Sequence, residues 1–223
     1  MRENLTELVF ILDRSGSMGG LETDTIGGFN AMLDKQRKEE GEAVISTVLF
    51  NSESEVIHDR VPIKEVKNLT DKEYYVGGGT ALLDAVGGAI HHIANVHKYA
   101  REEDRPAKTL FVITTDGYEN SSRRYSFDRI KKMIGEKQEK NHWEFIFLGA
   151  NIDAVDVAGS IGISRSHAAN FHNDAMGTAL NYTVLEKAVS RVRRCKVAEV
   201  GSALSGGDWK EEIDEDFRKR DVK

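Results

Sequence analysis

The stretch Leu8-Val9-Phe10-Ile11-Leu12-Asp13-Arg14-Ser15-Gly16-Ser17 changes character at Asp13. Its first half is continuously apolar, β-branched or aromatic, with no alternation. Over so few residues that pattern belongs to a strand covered on both faces, as in a parallel sheet flanked by helices. Its second half is a turn sequence carrying a carboxylate and two hydroxyls. The same join recurs where Leu110-Phe111-Val112-Ile113 leads toward Thr115-Asp116-Gly117, and Phe145-Ile146-Phe147-Leu148 repeats the strand pattern alone.

Two further segments read as a hairpin. Ala43 to Phe50 and Glu53 to Arg60 carry Val44, Val48, Val56 and Ile57 and are joined by the polar turn Asn51-Ser52. This pair is expected at a sheet edge, its second strand antiparallel. Between the strands lie helical patterns. Leu82, Val86, Ala89, Ile93, Val96 and Ala100 recur every three or four residues, giving one apolar face, with Thr80 as the expected N-cap. Ile26, Phe29 and Leu33 mark an earlier helix capped at Thr23 or Asp24. Ser126 precedes a third over Phe127, Ile130 and Ile134, Asp153 to Ala158 forms a short one stopped by Gly159, and Asp174 to Arg194 the last long one. This alternation predicts an α/β, doubly wound fold: a mostly parallel central sheet, one antiparallel edge strand and helices on both faces.

Bulk properties set the function classes aside. The 223 residues carry a net charge of −6 with no long basic block, so no phosphate-backbone footprint exists and nucleic acid is not expected as partner. No apolar stretch approaches the roughly 20 residues that span a bilayer, and no secretory h-region follows Met1, so the expectation is a cytoplasmic protein away from membranes. Cys195 is the only cysteine, which forbids an internal disulfide. Residues 1–200 read as one domain. After it, Gly201-Ser202-Ala203-Leu204-Ser205-Gly206-Gly207 reads as a linker to a charged tail, 201–223 in all, where Trp209, Ile213 and Phe217 would line one face of a short amphipathic helix.

Function rests on three loops. In an open α/β sheet, ligands sit beyond the carboxyl ends of the strands where the winding reverses, and the strands ending near Leu12 and Thr114 would flank that point. Asp13, Ser15 and Ser17 then face Asp116 across the crevice, while Gly77, Gly78 and Gly79 let backbone approach closely and deliver Thr80. Two carboxylates and three hydroxyls make an all-oxygen pocket that suits a hard divalent cation, Mg²⁺ or Mn²⁺. Taken singly, each motif is also explained as a turn or cap, since short hydroxyl side chains satisfy loose backbone N–H groups.

Asp13-Arg14-Ser15-Gly16-Ser17-Met18, then Gly79-Thr80-Ala81-Leu82, then Thr115-Asp116-Gly117 resemble the metal-ion-dependent adhesion site of von Willebrand factor type A domains, in the family's order. The element order from about Leu5 to Arg194 resembles the family too. The resemblance implies that Ser15, Ser17 and Thr80 offer hydroxyl oxygens to the ion and that Asp13 and Asp116 bind it directly or through water. It further implies an open coordination position, filled by an Asp or Glu of a partner protein, and no catalysis. An inward move of Asp116 would couple the site to helix displacement, as in some family members.

Two alternatives belong to other classes. One is a Mg²⁺-dependent hydrolase of Rossmann type; against it, Ser15 departs from the DxD pattern, and no general acid is paired with Asp13. The other is an adaptor binding through the tail stripe. Neither GxxxxGK[ST] nor HExxH occurs. The seven histidines read as solvated or core-edge, Glu119-Asn120 as a polar loop within reach of the ion's surroundings, and Arg123-Arg124 as a surface pair at the rim.

Overall fold

Along β1 (Arg2–Asp13), Leu8, Phe10 and Leu12 belong to one core and Val9 and Ile11 to another, and all five are fully buried. That division explains the unbroken apolar run: successive side chains point to opposite faces, and both faces are covered. The computed structural model describes residues 1–221. Its other strands are β2 (Glu42–Phe50), β3 (Ser54–Pro62), β4 (Pro106–Thr115), β5 (Glu144–Gly149) and β6 (Ala168–Asn170). They form one sheet in the order β3-β2-β1-β4-β5-β6, parallel throughout except for the antiparallel β2–β3 hairpin at one edge.

Helices α1 (Glu22–Gln36), α2 (Leu82–Tyr99), α3 (Phe127–Asn141), α4 (Ala154–Ser160), α5 (Ala175–Arg194), α6 (Val200–Ser205) and α7 (Glu211–Asp221) supply the two covers. Phe29 and Leu33 of α1, Val184 and Leu185 of α5, and Leu204 and Ile213 from α6 and α7 pack with Leu8, Phe10 and Leu12. Leu82, Val86 and Ile93 of α2, Ile130 and Ile134 of α3, and Ala154 and Ala158 of α4 pack with Val9 and Ile11. β1 runs to β2 on one side through α1, and β3 returns to β4 on the other side through α2. The winding therefore reverses between β1 and β4, and the crevice opens beyond Asp13 and Thr115.

Several local expectations need correction. Thr80 does not cap α2: the helix starts at Leu82, its N-cap position is Ala81, and Glu119 Oε2 instead accepts from Leu83 N at 2.9 Å. Neither Thr23 nor Asp24 caps α1, which begins at Glu22 and holds both residues in its first turn. α4 runs through Gly159 to Ser160, and the chain turns at Gly162 with φ +89°. The stretch 201–207 is largely helical, because Leu204 is fully buried and anchors α6 against the sheet. Beyond it Trp209 and Ile213 enter the same core, so the tail stripe packs on the chain's own sheet as far as Ile213. Ser126, Asp153 and Asp174 do cap their helices, each side chain accepting from a backbone N–H three residues on.

Candidate metal centre

β1 ends by delivering Asp13, 2% exposed, into the crevice. One carboxylate oxygen accepts from Ser15 N at 2.7 Å and the other from the Thr115 hydroxyl at 2.6 Å, so the ends of β1 and β4 hold it from both sides. The chain then turns over Ser15 and a 3₁₀ turn, Gly16–Met18. Ser15 Oγ and Ser17 Oγ lie 3.1 Å apart, and Ser17 Oγ donates to Asp116 Oδ1 at 2.5 Å. Arg14, between Asp13 and Ser15 in sequence, turns away: its guanidinium donates to Glu73 O, pairs with Glu55 at 2.8 Å and lies over Tyr75. Its charge serves the loop and stays out of the crevice.

The glycine loop is tied to the first loop by Gly16 N to Gly78 O at 3.1 Å and Gly77 N to Arg14 O at 3.0 Å. Gly78 adopts φ +77°, and a methyl added to Gly79 would fall 2.1 Å from Ser121 Oγ, so both positions require glycine. Thr80 follows, 3% exposed, with its backbone clamped by Asn120: Thr80 N donates to Asn120 Oδ1 at 2.9 Å and Asn120 N donates to Thr80 O at 3.0 Å. Released from capping duty, its hydroxyl faces the same spot as Ser17. A methyl built on Gly117 would stand 3.3 Å from Thr80 Oγ1 and 3.4 Å from Ser17 Oγ.

All five residues singled out in sequence thus converge: Asp13 and Asp116 at the floor, Ser15 and Ser17 on one wall, Thr80 on another. Two participants stand outside the five expected ligands. Thr115 bonds Asp13, and Asn173, just before α5, donates to Asp116 Oδ2 at 3.0 Å while its own Oδ1 is buried without a partner among the described residues. No sequence signal marked Asn173; the apolar strand leading into Thr115 could have drawn attention to its hydroxyl. Asp13, Ser15, Thr80 and Asp116 are buried while Gly16, Ser17, Gly78 and Tyr118 are exposed, so the crevice opens on that side.

Burial pushes the Asp13 carboxyl above the usual carboxylate range, against the opposing pull of the Ser15 and Thr115 donors. Burial also raises Asp116, the negative charge of Asp13 adds to the rise, and the Ser17 and Asn173 donors oppose it. Two buried carboxyls lie side by side, and among the described residues no basic side chain bonds to either. The donor set is oxygen alone, and no cluster of three His, Cys, Asp or Glu side chains occurs among the described residues. That chemistry fits a hard divalent cation and disfavours a site built for soft metals. Gly117→Ala tests the crowding directly: the added methyl meets the Thr80 and Ser17 oxygens, so cation affinity is expected to fall by about tenfold or more while the melt of the metal-free protein changes little. Titration calorimetry beside a thermal melt reads both quantities.

Neither a protein-family model nor a curated protein sequence matches this chain. Solved structures do match. Proximal thread matrix protein 1 from the mussel byssus superposes with a TM-score of 0.58 at 13% identity, over 83% of this chain and 46% of that one. The same protein with its metal-ion-dependent adhesion site occupied by zinc gives 0.56 at 12%, over 83% and 46%. A von Willebrand factor type A structure from Catenulispora acidiphila gives 0.56 at 14%, over 83% and 42%. The chain therefore spans less than half the length of each of these relatives. The sheet order, the antiparallel edge and the helices on both faces are those of the von Willebrand factor type A fold, and that is the fold of this chain.

Proposed function

We propose that this chain is a divalent-cation-dependent protein-interaction module. Asp13, Ser15, Ser17, Thr80 and Asp116 hold Mg²⁺, with Mn²⁺ as the natural substitute, and a partner protein contributes an Asp or Glu from outside. The observation that carries the reading is the meeting of Thr80 Oγ1, Ser17 Oγ and the Asp116 carboxylate around Gly117, from three separate loops. When bound, the cation supplies a positive centre on which an acidic side chain can settle. The chain's own residues set how strongly it does so. Three of the five ligands are neutral hydroxyls, and where the two carboxylates reach the cation through water its charge stays exposed enough to receive one more carboxylate. The exposed edge at Ser17 and Gly78 gives that carboxylate access. The zinc at the corresponding motif of the mussel protein supports the reading from a chain of the same fold.

The same reading makes the chain a binder without turnover, since Asp13 is held by the Thr115 hydroxyl and the Ser15 N–H and its neighbour Asp116 is assigned to the cation. Thr80→Ala is the test, because it removes one ligand oxygen and, Thr80 capping nothing, spares the helix. Mg²⁺ affinity is expected to drop by roughly tenfold or more. Capture of an acidic partner by the parent chain is expected to vanish in chelator and return with Mg²⁺, and Thr80→Ala should fail to recover it. Partner binding indifferent to chelator would sink the reading, and Mg²⁺-dependent phosphoester turnover lost in Asp13→Asn would put the hydrolase in its place.

A further inference from the structure

At the opposite end of the sheet, below the start of β4 and β5, the last turns of α2 and α3 enclose a second concavity of about 610 Å³. Its walls carry Lys98, Arg105, Lys137 and Lys140, with the exposed His142 at the rim, and no carboxylate lines it among the described residues. Four positive charges gathered around one concavity contrast with a chain whose net charge is −6. Its floor is Trp143, 3% exposed and fixed by stacking on Phe111 at 5.2 Å and by the His97 ring edge at 5.4 Å.

Helix ends supply the ordinary explanation for basic residues in such a place, since the last carbonyls of a helix favour cations. Here that need is already met at α2. Arg105 Nε donates to Ala100 O at 3.0 Å, and Nη2 reaches toward Lys98 O at 3.5 Å. His97 is spent on the buried Glu7, which also takes Arg60. The ammonium groups of Lys98, Lys137 and Lys140 make no hydrogen bond and no ion pair among the described residues; Lys137 lies over the Trp143 face at 5.2 Å and Lys98 over Tyr99 at 5.3 Å. A cleft lined by one sign of charge on a low-dielectric floor concentrates its field on a counter-ion.

We propose that this concavity binds a small polyphosphate group. The cavity has the volume of a small-molecule site. Its four cations are spread over two helix ends and a strand entry, so they match an anion whose charges are spread along a chain of phosphates. A single carboxylate would leave most of them unused. Arg105 retains donors for a bidentate contact, and the lysines act as point charges. A free polyphosphate and the triphosphate of a nucleotide present the same chemistry. Trp143 is too buried to stack on a base, so the phosphates carry the recognition.

Titration calorimetry of the full chain with tripolyphosphate, in chelator so that the crevice at Asp13 holds no metal to attract phosphate, tests this independently of the metal reading. Saturable binding is expected, and the double variant Lys137→Ala/Lys140→Ala should weaken it by about tenfold or more, the loss of two charge-assisted contacts. Lys72→Ala, before Tyr74 on the far side, controls for net charge and should leave the affinity alone. Lys98→Ala provides a second route to the same loss, with circular dichroism confirming the fold of each variant. Equal affinities for tripolyphosphate and ATP would assign the phosphate chain alone; tighter ATP binding would assign a nucleotide. Heats that do not saturate, or equal affinity in the double variant and Lys72→Ala, would overturn the proposal.

Discussion

Asp13→Asn is expected to fold, to be at least as stable as the parent without metal, and to gain nothing from added Mg²⁺. The substitution keeps the shape. Asn Oδ1 can still accept from Ser15 N, and the amide can donate to Thr115 Oγ1 if that hydroxyl turns toward Gly117 O, 3.2 Å away. What it removes is a buried carboxyl whose ionised form burial disfavours. The metal-free protein should therefore gain on the order of 1 kcal/mol, and cation affinity should drop by about 100-fold. The pH dependence follows with a definite sign. Because burial raises Asp13 and Asp116 above their unfolded-state range, the folded protein holds more protons than the unfolded chain between the two values, and metal-free stability falls as pH rises through that window. Cation binding needs both groups ionised and runs the opposite way. The rise in melting temperature given by Mg²⁺ should shrink steadily on acidification toward about pH 4, the ordinary carboxylate value. A parent-like Mg²⁺ shift in Asp13→Asn would remove Asp13 from the ligand set.

The second large effect lies far from the crevice. Trp209→Ala is expected to cost about 3–5 kcal/mol, the usual range for truncating a buried aromatic. Trp209 is 6% exposed, and its indole N–H donates to Ser166 O at 2.8 Å; the next residue, Lys210, donates its ammonium to Ala168 O at 2.7 Å. Both bonds satisfy carbonyls along the outer edge at β6, and an edge left bare is a template for pairing with another chain. Truncation after Glu199 strips away Leu204 and Ile213 as well, so the shortened chain should melt at lower temperature and elute as aggregate on size exclusion. A truncated chain with the parent's cooperative melt would mean that the tail contributes nothing to the fold. The same geometry makes such a truncation a poor test of an adaptor role for the tail; changes at Phe217, where the ring stacks on His172 at 4.7 Å, leave the Trp209 anchor in place.

What could be read in advance followed from how tightly each signal is packed in sequence. Leu8 to Leu12, Leu110 to Ile113 and Phe145 to Leu148 announce both-faced burial through composition alone. Asp13, Ser15 and Ser17 sit on one short turn, so their convergence needed only that turn to face the crevice. Asn173 was illegible because a single polar residue beside a helix start looks like many others, and Thr115, though part of the third motif, gave no sign that its hydroxyl would hold Asp13. β6 was missed for a different reason. Ala168-Ala169-Asn170 has no β-branched or large apolar residue, and it becomes a strand only because β5 offers it hydrogen bonds. The Gly-Ser stretch after Val200 reads as loop by composition, and a helix forms there because burying Leu204 outweighs weak local propensity. Thr80 failed as a cap because Glu119, from a distant loop, took the task.

The position of β1 bears on how the chain is made. It precedes the other five strands of the sheet in sequence, yet it lies in the interior of the sheet, and Leu8 takes its place beside Leu110. Until β4 and the covering helices join it, the apolar run from Leu8 to Leu12 lacks the cover it has in the fold. Pairings this remote along the chain slow folding and lengthen the time at risk of aggregation. Pairing of β1 on both sides is complete only when β4 joins it.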